Sequence, residues 1–279
     1  MTWNIVADSS CDLKASDIQS QQLHFEVVPL KIIIGEDEYI DDGNLSIPQL
    51  LRDMDACKTG SSTACPSPED FKRAFETADC TICVTISSQL SGTYNAAVLG
   101  RDMVLEEYPD KQICVIDSKG ASGMLALIML RAQQLIEAGK DFEEVSAALR
   151  EYQASLRIAF TLSNFGNLIK AGRMSPFIGS VLTGLGIHVI ADATPQGTIH
   201  VAGKARGENK TIKHIVHMMA EAKDVTGLPV LIAHCENLAG AMKLKQAILA
   251  ELPVADVTLL NCKGLCTFYA MEKGLIVSY

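Results

Sequence analysis

The sequence predicts an α/β protein, and three observations carry that prediction. Short runs of apolar and β-branched residues recur, among them Ile5-Val6-Ala7, Thr81-Ile82-Cys83-Val84-Thr85-Ile86 and Ile113-Cys114-Val115-Ile116, each of a strand's length. Stretches of helical period lie between them, the alternation that layers helices on a sheet. Each run ends in a polar turn, such as Asp8-Ser9-Ser10-Cys11-Asp12 or Asp117-Ser118. Sheets of this class place their binding crevices at those carboxyl ends.

In chain order, Phe25 to Ile34 reads as one or two strands, and Gly35 to Tyr39 as a hairpin turn and return strand. Ser46-Ile47-Pro48 opens a helix, with Pro where a missing N–H is harmless. Ser61 to Phe71 is a hydroxyl-rich loop whose Ser67-Pro68-Glu69-Asp70 starts the next helix. Gly120 to Gly123 opens a long apolar helix, and Asp141-Phe142-Glu143-Glu144 begins one that runs to about Ser155. Arg157 to Thr161 is a strand, Asn164 to Lys170 is helical, and Ala171-Gly172-Arg173-Met174-Ser175 breaks that helix. Ile187 to Ala191 and Thr198 to Val201 flank the turn Thr194-Pro195-Gln196-Gly197, a pattern for antiparallel pairing. Thr211 to Lys223 is helical, and Val230 to Ala233 is a strand. The first part therefore reads as a mostly parallel sheet with flanking helices, and the second as a mixed or antiparallel sheet with helices. The expected boundary divides residues 1–155 from 156–279.

Composition excludes several classes. The chain has 279 residues, enough for one large or two ordinary domains, and a formal net charge of −9. No basic stripe marks a nucleic-acid partner. The longest helix-like apolar stretch, Met124 to Leu130, stops at Arg131, far short of the roughly 20 residues a membrane span needs. Nine cysteines, an odd number, fall largely inside strand patterns, where Cys behaves as a small hydrophobe. With Met1-Thr2-Trp3-Asn4 leading straight into a strand, no signal peptide is expected; reduced thiols and a cytoplasmic location are. Neither Cys80/Cys83 nor Cys262/Cys266 has a second ligand pair, so no metal site is expected.

The most informative segment is Ser87-Ser88-Gln89-Leu90-Ser91-Gly92-Thr93-Tyr94-Asn95, directly after a strand and opening a helix. Hydroxyls and backbone N–H groups at a helix N-terminus form an anion site for phosphate or carboxylate. A plain N-cap is the competing reading. Among six histidines only His234, at a strand end, stands in a site-like position. His214 and His217 are three apart on a helix and read as a solvated face. Arg173 and Arg206 stand in loops beside glycine, positions suited to an exposed guanidinium that pairs with carboxylate or phosphate. No P-loop, nucleophile elbow or dinucleotide glycine fingerprint is present.

Taken together, these stretches resemble the DegV family of bacterial lipid-binding proteins, which includes the fatty-acid-binding subunits of fatty acid kinase. The resemblance rests on Ile5 to Leu13, on Thr63-Ala64-Cys65-Pro66-Ser67-Pro68, on Ile86 to Tyr94, on Val115-Ile116-Asp117-Ser118 and on Ala171 to Ser175, in the right order over nearly the whole chain. It implies two α/β domains with a long acyl chain buried between them and no resident cofactor. It implies that Thr63, Ser91 and the Gly92 N–H hold the carboxylate; the family usually has Ser where Ala64 stands, so one hydroxyl is missing unless Ser62 compensates. It implies a separate kinase partner that phosphorylates the bound carboxylate, with Arg173 and Arg206 facing that partner, and transient membrane contact for lipid exchange. The family's His-x-Gly-Pro-Gly near the headgroup is replaced here by Cys266-Thr267-Phe268-Tyr269-Ala270. The alternative is a phosphotransferase or hydrolase acting on a small anionic substrate, with Asp8 as nucleophile and Ser91-Gly92 as anion clamp.

Overall fold

A computed structural model describes residues 1–175 and 187–279. Strand β1 (Trp3–Asp8) lies between β2 (Leu23–Val28) and β6 (Cys80–Thr85), and β7 (Gln112–Asp117) flanks β6. All three pairings are parallel, giving the order β2-β1-β6-β7. The strands alternate in period two, as a sheet covered on both faces requires. Val6, Cys83 and Val115 face helices α2 (Pro68–Phe75) and α3 (Thr93–Glu107), where Phe71, Phe75 and Val104 complete a core. Ile5, Ala7, Ile82, Val84 and Ile116 face the other way, onto α4 (Gly123–Glu137).

Helix α4 is apolar nearly all round because it is covered nearly all round. It packs against β1 and β6 on one side and against the second sheet on the other. That sheet has the order β10-β9-β8-β13-β11-β12, from β8 (Ile158–Leu162), β9 (Ile187–Ala193), β10 (Ile199–Arg206), β11 (Pro229–His234), β12 (Asp256–Asn261) and β13 (Leu275–Ser278). Every pair in it is antiparallel except β11 with β12, so the sheet is mixed, as expected. Helices α7 (Glu208–Ala222) and α8 (Leu238–Glu251) bury Ile212, Ile215, Met219, Leu244 and Ile248 against its outer face. Capping boxes start two of the predicted helices: Ser67 with Asp70 at α2, and Asp141 with Glu144 at α5 (Phe142–Ser155).

A third sheet departs from the sequence reading. The Phe25–Ile34 stretch divides between sheets: β2 joins the parallel one, whereas β3 (Lys31–Ile34) pairs antiparallel with β4 (Asp37–Ile40) and with β5 (Ser61–Ala64). The hydroxyl-rich segment expected to be a loop therefore begins as a strand. Three short polar residues and an alanine carry no period-two signal, and their pairing with β3, Thr63 opposite Ile32 and Ser61 opposite Ile34, supplies what propensity lacks. Helix α1 (Ile47–Ala56) and the short helix α9 (Gly264–Ala270) pack together beside this sheet, burying Leu50 and Phe268 with Ile32 and Ile34. Helix α6 (Gly166–Lys170) precedes the turn bearing Arg173. Among the described residues no helix is long and apolar enough to cross a membrane, and all nine cysteines are free.

Candidate functional site

Three buried carboxylates pull the polar turns together. Asp8, 0 % exposed, accepts the Ile86 N–H at 2.6 Å and the Ser10 N–H at 2.9 Å, tying the end of β1 to the end of β6. Asp12 accepts the Lys263 N–H at 2.7 Å and the Ser122 hydroxyl. Asp41 accepts the Gly264 and Leu265 N–H groups at 2.9 and 2.8 Å, holding the start of α9. Burial pushes Asp8 and Asp12 up to about 6 and raises Asp41, against the pull of these donors. Asp8 is thus a tie inside the fold and does not line the cavity described below, which removes it as a nucleophile.

The turn after β6 is held at several points. The Leu90 and Ser91 N–H groups donate to the Ser87 carbonyl. Asp117 accepts the Ser88 N–H at 3.1 Å, and the Ser87 hydroxyl donates to the Gly197 carbonyl at 2.8 Å. Helix α3 then starts with Gly92 at its N-cap position, so its first N–H groups and positive dipole end lie beside Ser91. The Ser91 hydroxyl does not perform a strong cap: it lies 3.4 Å from the Thr93 N–H and 2.8 Å from the Thr93 hydroxyl.

These turns close on a cavity of about 340 Å³, inside the ~300–1,000 Å³ typical of small-molecule sites. Ile158, Phe160, Leu162 and Ile276 of the second sheet form one apolar wall. Leu30, Ile86, Leu90, Ala121 and Leu265 add further apolar lining. Thr63, Ser91, Gly92, Cys65, Lys119, Arg173 and Tyr269 add polar lining, with Ser10, Asp192 and Thr198.

Thr63, Ser91, Gly92 and Arg173 all line this one cavity. Thr63 gets there from strand β5, opposite Ile32, rather than from a loop. Its hydroxyl lies 2.9 Å from the Tyr269 hydroxyl. Ser62, its exposed neighbour, points to the other side of the strand, is absent from the wall, and does not make up for Ala64. Arg173 donates through Nε to the Leu90 carbonyl at 2.7 Å and also bonds the Ala171 carbonyl. Arg206 closes β10 opposite Ile187, exposed and outside the cavity wall; it is a strand residue, not a loop residue. His234 is 6 % exposed and also off the wall. It faces the Asn237 N–H at 3.4 Å, and burial lowers its pKa.

Sequence reasoning missed Lys119 and Tyr269. Lys119 sits at φ 58°, a left-handed conformation that L-residues adopt at a cost, and pairs with Asp117 at 3.2 Å. No sequence signal marks it, since the left-handed backbone at Lys119 is visible only in the structure. Tyr269 stood in the segment noted only for its departure from a motif. Among the described residues no group of three or more His, Cys, Asp or Glu side chains is placed to hold a metal ion.

An apolar cavity whose lining carries hydroxyls, a helix N-terminus, Lys119, Arg173 and Asp192 marks an α/β protein with a binding site for an amphiphilic molecule. The chain belongs to the DegV family, whose model matches residues 2–278. A DegV domain-containing protein of Streptococcus pneumoniae is 38 % identical over 279 residues, covering 100 % of this chain and 99 % of that protein. The crystal structure of the fatty acid kinase (Fak) B3 protein of Streptococcus pneumoniae, loaded with linoleic acid, is similar with a TM-score of 0.97 and 38 % identity, covering 100 % of this chain and 99 % of that one. A DegV family protein of Eubacterium eligens, loaded with heptadecanoic acid, gives a TM-score of 0.93 at 36 % identity, covering 99 % of each chain.

Proposed function

We propose that this protein binds one long-chain fatty acid in the cavity and presents its carboxylate to a separate kinase subunit. One observation carries the reading: an apolar cavity of about 340 Å³ that also has Thr63, Ser91, Gly92 and Arg173 on its wall. Relatives of the same fold hold linoleic and heptadecanoic acid, molecules that are apolar over their length and anionic at one end. Each buried methylene contributes about 0.8 kcal/mol, so the chain supplies most of the affinity. The hydroxyls and the α3 N-terminus answer the carboxylate, which would cost several kcal/mol if buried without donors. Thr63, Ser91 and Gly92 are the proposed carboxylate residues. Exposed Arg206 is the proposed kinase-facing cation; Arg173, which the resemblance also places towards the kinase, lines the cavity and is proposed instead to steady the headgroup turn through its Nε bond to Leu90. Residues 1–155 supply most of the headgroup side and residues 156–279 most of the acyl wall, in a carrier that works in the cytoplasm and touches membrane transiently to exchange lipid.

The direct test is to purify the protein from lipid-replete cells, denature it and analyse the extract by mass spectrometry. A stoichiometric fatty acid is expected. A blank extract, together with no saturable uptake of palmitate by the refolded protein, would sink the reading.

A further inference from the structure

Each hydroxyl proposed to meet the carboxylate is backed by a second hydroxyl. Thr93, 0 % exposed, stands 2.8 Å behind Ser91. Tyr269 stands 2.9 Å from Thr63, across 206 positions of sequence. A hydroxyl carries one proton and accepts through two lone pairs, so each linked pair uses one proton internally and leaves one free. A carboxylate only accepts. It therefore selects the order in which the rear hydroxyl donates to the front one and the front one donates to the ligand. The phenol is the more acidic member of the Tyr269–Thr63 pair, which favours the same order, and donors in series strengthen one another.

Tyr269 is held for this task. Its ring packs edge-on against Phe268, with centroids 4.9 Å apart and planes at 85°. Phe268 is buried with Ile32 and Leu50 behind the β5 strand that carries Thr63. Helix α9 is anchored at its start by Asp41, through the Gly264 and Leu265 N–H groups.

We propose that Tyr269 is a positioning residue for the fatty-acid headgroup, its phenol donating to Thr63 so that the Thr63 proton is directed at the ligand carboxylate. The inference rests on the fatty-acid reading above and deepens it: the C-terminal helix completes a headgroup site otherwise built from the first half of the chain. The kinase-coupled step is left untouched by this assignment, which concerns binding geometry alone.

The test is a double-mutant cycle on delipidated, refolded protein with [1-¹³C]palmitate. Tyr269→Phe removes the hydroxyl and keeps the ring. It is expected to weaken binding by about three- to tenfold, the scale of one neutral hydrogen bond, and to move the carboxylate ¹³C resonance of the bound ligand. In a Thr63→Val background the same change is expected to do neither; in Thr63→Ser, which keeps the hydroxyl, it is expected to do both. Equal loss of affinity in all three backgrounds, or an unmoved carboxylate resonance, overturns the proposal and leaves Tyr269 as packing. Wild-type protein that binds no palmitate overturns the fatty-acid reading itself, and this inference with it. Near-ultraviolet circular dichroism and melting curves on each variant identify any that fail to fold. Tyr269→Trp, which keeps an aromatic body with its one donor elsewhere on the ring, then takes the place of Tyr269→Phe with the same expected outcome.

Discussion

Replacing Ser91 with Ala separates what holds the headgroup from what holds the chain. The change removes one hydroxyl and little volume, at a turn fixed independently by the Ser87 carbonyl and by Asp117. A hydrogen bond to a charged group is worth about 1–3 kcal/mol, so the dissociation constant of a bound fatty acid should rise about ten- to hundredfold. On the scale of about 0.8 kcal/mol per methylene, that equals shortening the acyl chain by roughly one to four carbons. Binding therefore weakens but survives. A second effect is expected in the fold: Thr93 is fully buried, and its hydroxyl loses the partner at 2.8 Å. That should lower stability by about 1 kcal/mol. Thr93→Val added to Ser91→Ala should restore stability without restoring affinity. The assay is displacement of a fluorescent fatty acid from delipidated protein, paired with urea denaturation of the same samples. Unchanged affinity in Ser91→Ala, with the fold intact, would refute the assignment of Ser91 to the carboxylate.

Arg206→Ala should leave fatty-acid affinity unchanged and lower the rate of kinase-coupled phosphorylation, whereas Arg173→Ala should weaken binding several-fold because its Nε bond to Leu90 steadies the headgroup turn; the reverse pattern in a binding assay run beside the coupled assay would show the two roles exchanged. Gly197→Ala should destabilise the protein by roughly 1–3 kcal/mol in urea, since Gly197 has φ 92° and an added Cβ would lie 2.3 Å from the Ser87 hydroxyl oxygen; a stability equal to wild type would mean that the β9–β10 turn does not dock as described. Asp12 has a folded pKa of about 6 against an ordinary 3.8, so its carboxylate form is penalised in the fold and its contribution is lost as pH rises through 6. Between pH 5 and pH 7.5 that loss is about 1.4 kcal/mol, and Asp12→Asn should gain that much on wild type over the same interval, a difference in which the opposite trend of buried His234 cancels; parallel stability curves for the two proteins would contradict it.

Much of the first sheet was legible because both of its faces are covered. Burial on both sides demands near-continuous apolar runs such as Cys80–Thr85, and those runs stand out from the helices between them. The headgroup turn was legible for a related reason: small hydroxyl residues between a buried strand and a helix leave few roles open. Strand β5 was not legible, because Ser61-Ser62-Thr63-Ala64 owes its conformation to β3 rather than to its own pattern. Thr63 does line the cavity, but it does so from a strand and not from the loop the sequence predicted. Arg206 shows the opposite failure. Its neighbour Gly207 signals a break, but the strand runs through Arg206 and the break follows it. Tyr269 was out of reach of any local pattern, since its partner lies 206 positions away. The Asp41 and Asp12 anchors, both buried acids in polar turns, and the packing of Phe268 on Ile32 and Leu50 bring the end of the chain to that partner.

On the proposed function, the buried acids fasten the headgroup end, although the acyl chain supplies most of the affinity. A hydroxyl that must meet a carboxylate within hydrogen-bond distance loses its value if it moves by an ångström. The polar turns of the first sheet are accordingly fastened by carboxylates accepting backbone N–H groups, the arrangement with the strongest neutral-donor hydrogen bonds. The apolar walls need no such fastening, because burial of methylenes is non-directional and tolerates a chain that slides or bends. On the proposed function, this division lets one protein accept acyl chains that differ in length or unsaturation while holding the carboxylate in one place for a partner to reach. Changes to the apolar wall, such as Phe160→Ala, should then alter which chains are bound, and changes to Ser91 or Thr63 should weaken all chains alike. A panel of saturated and unsaturated fatty acids run against both kinds of variant would separate the two effects, and chain-dependent losses in Ser91→Ala would show that headgroup and acyl wall are not independent.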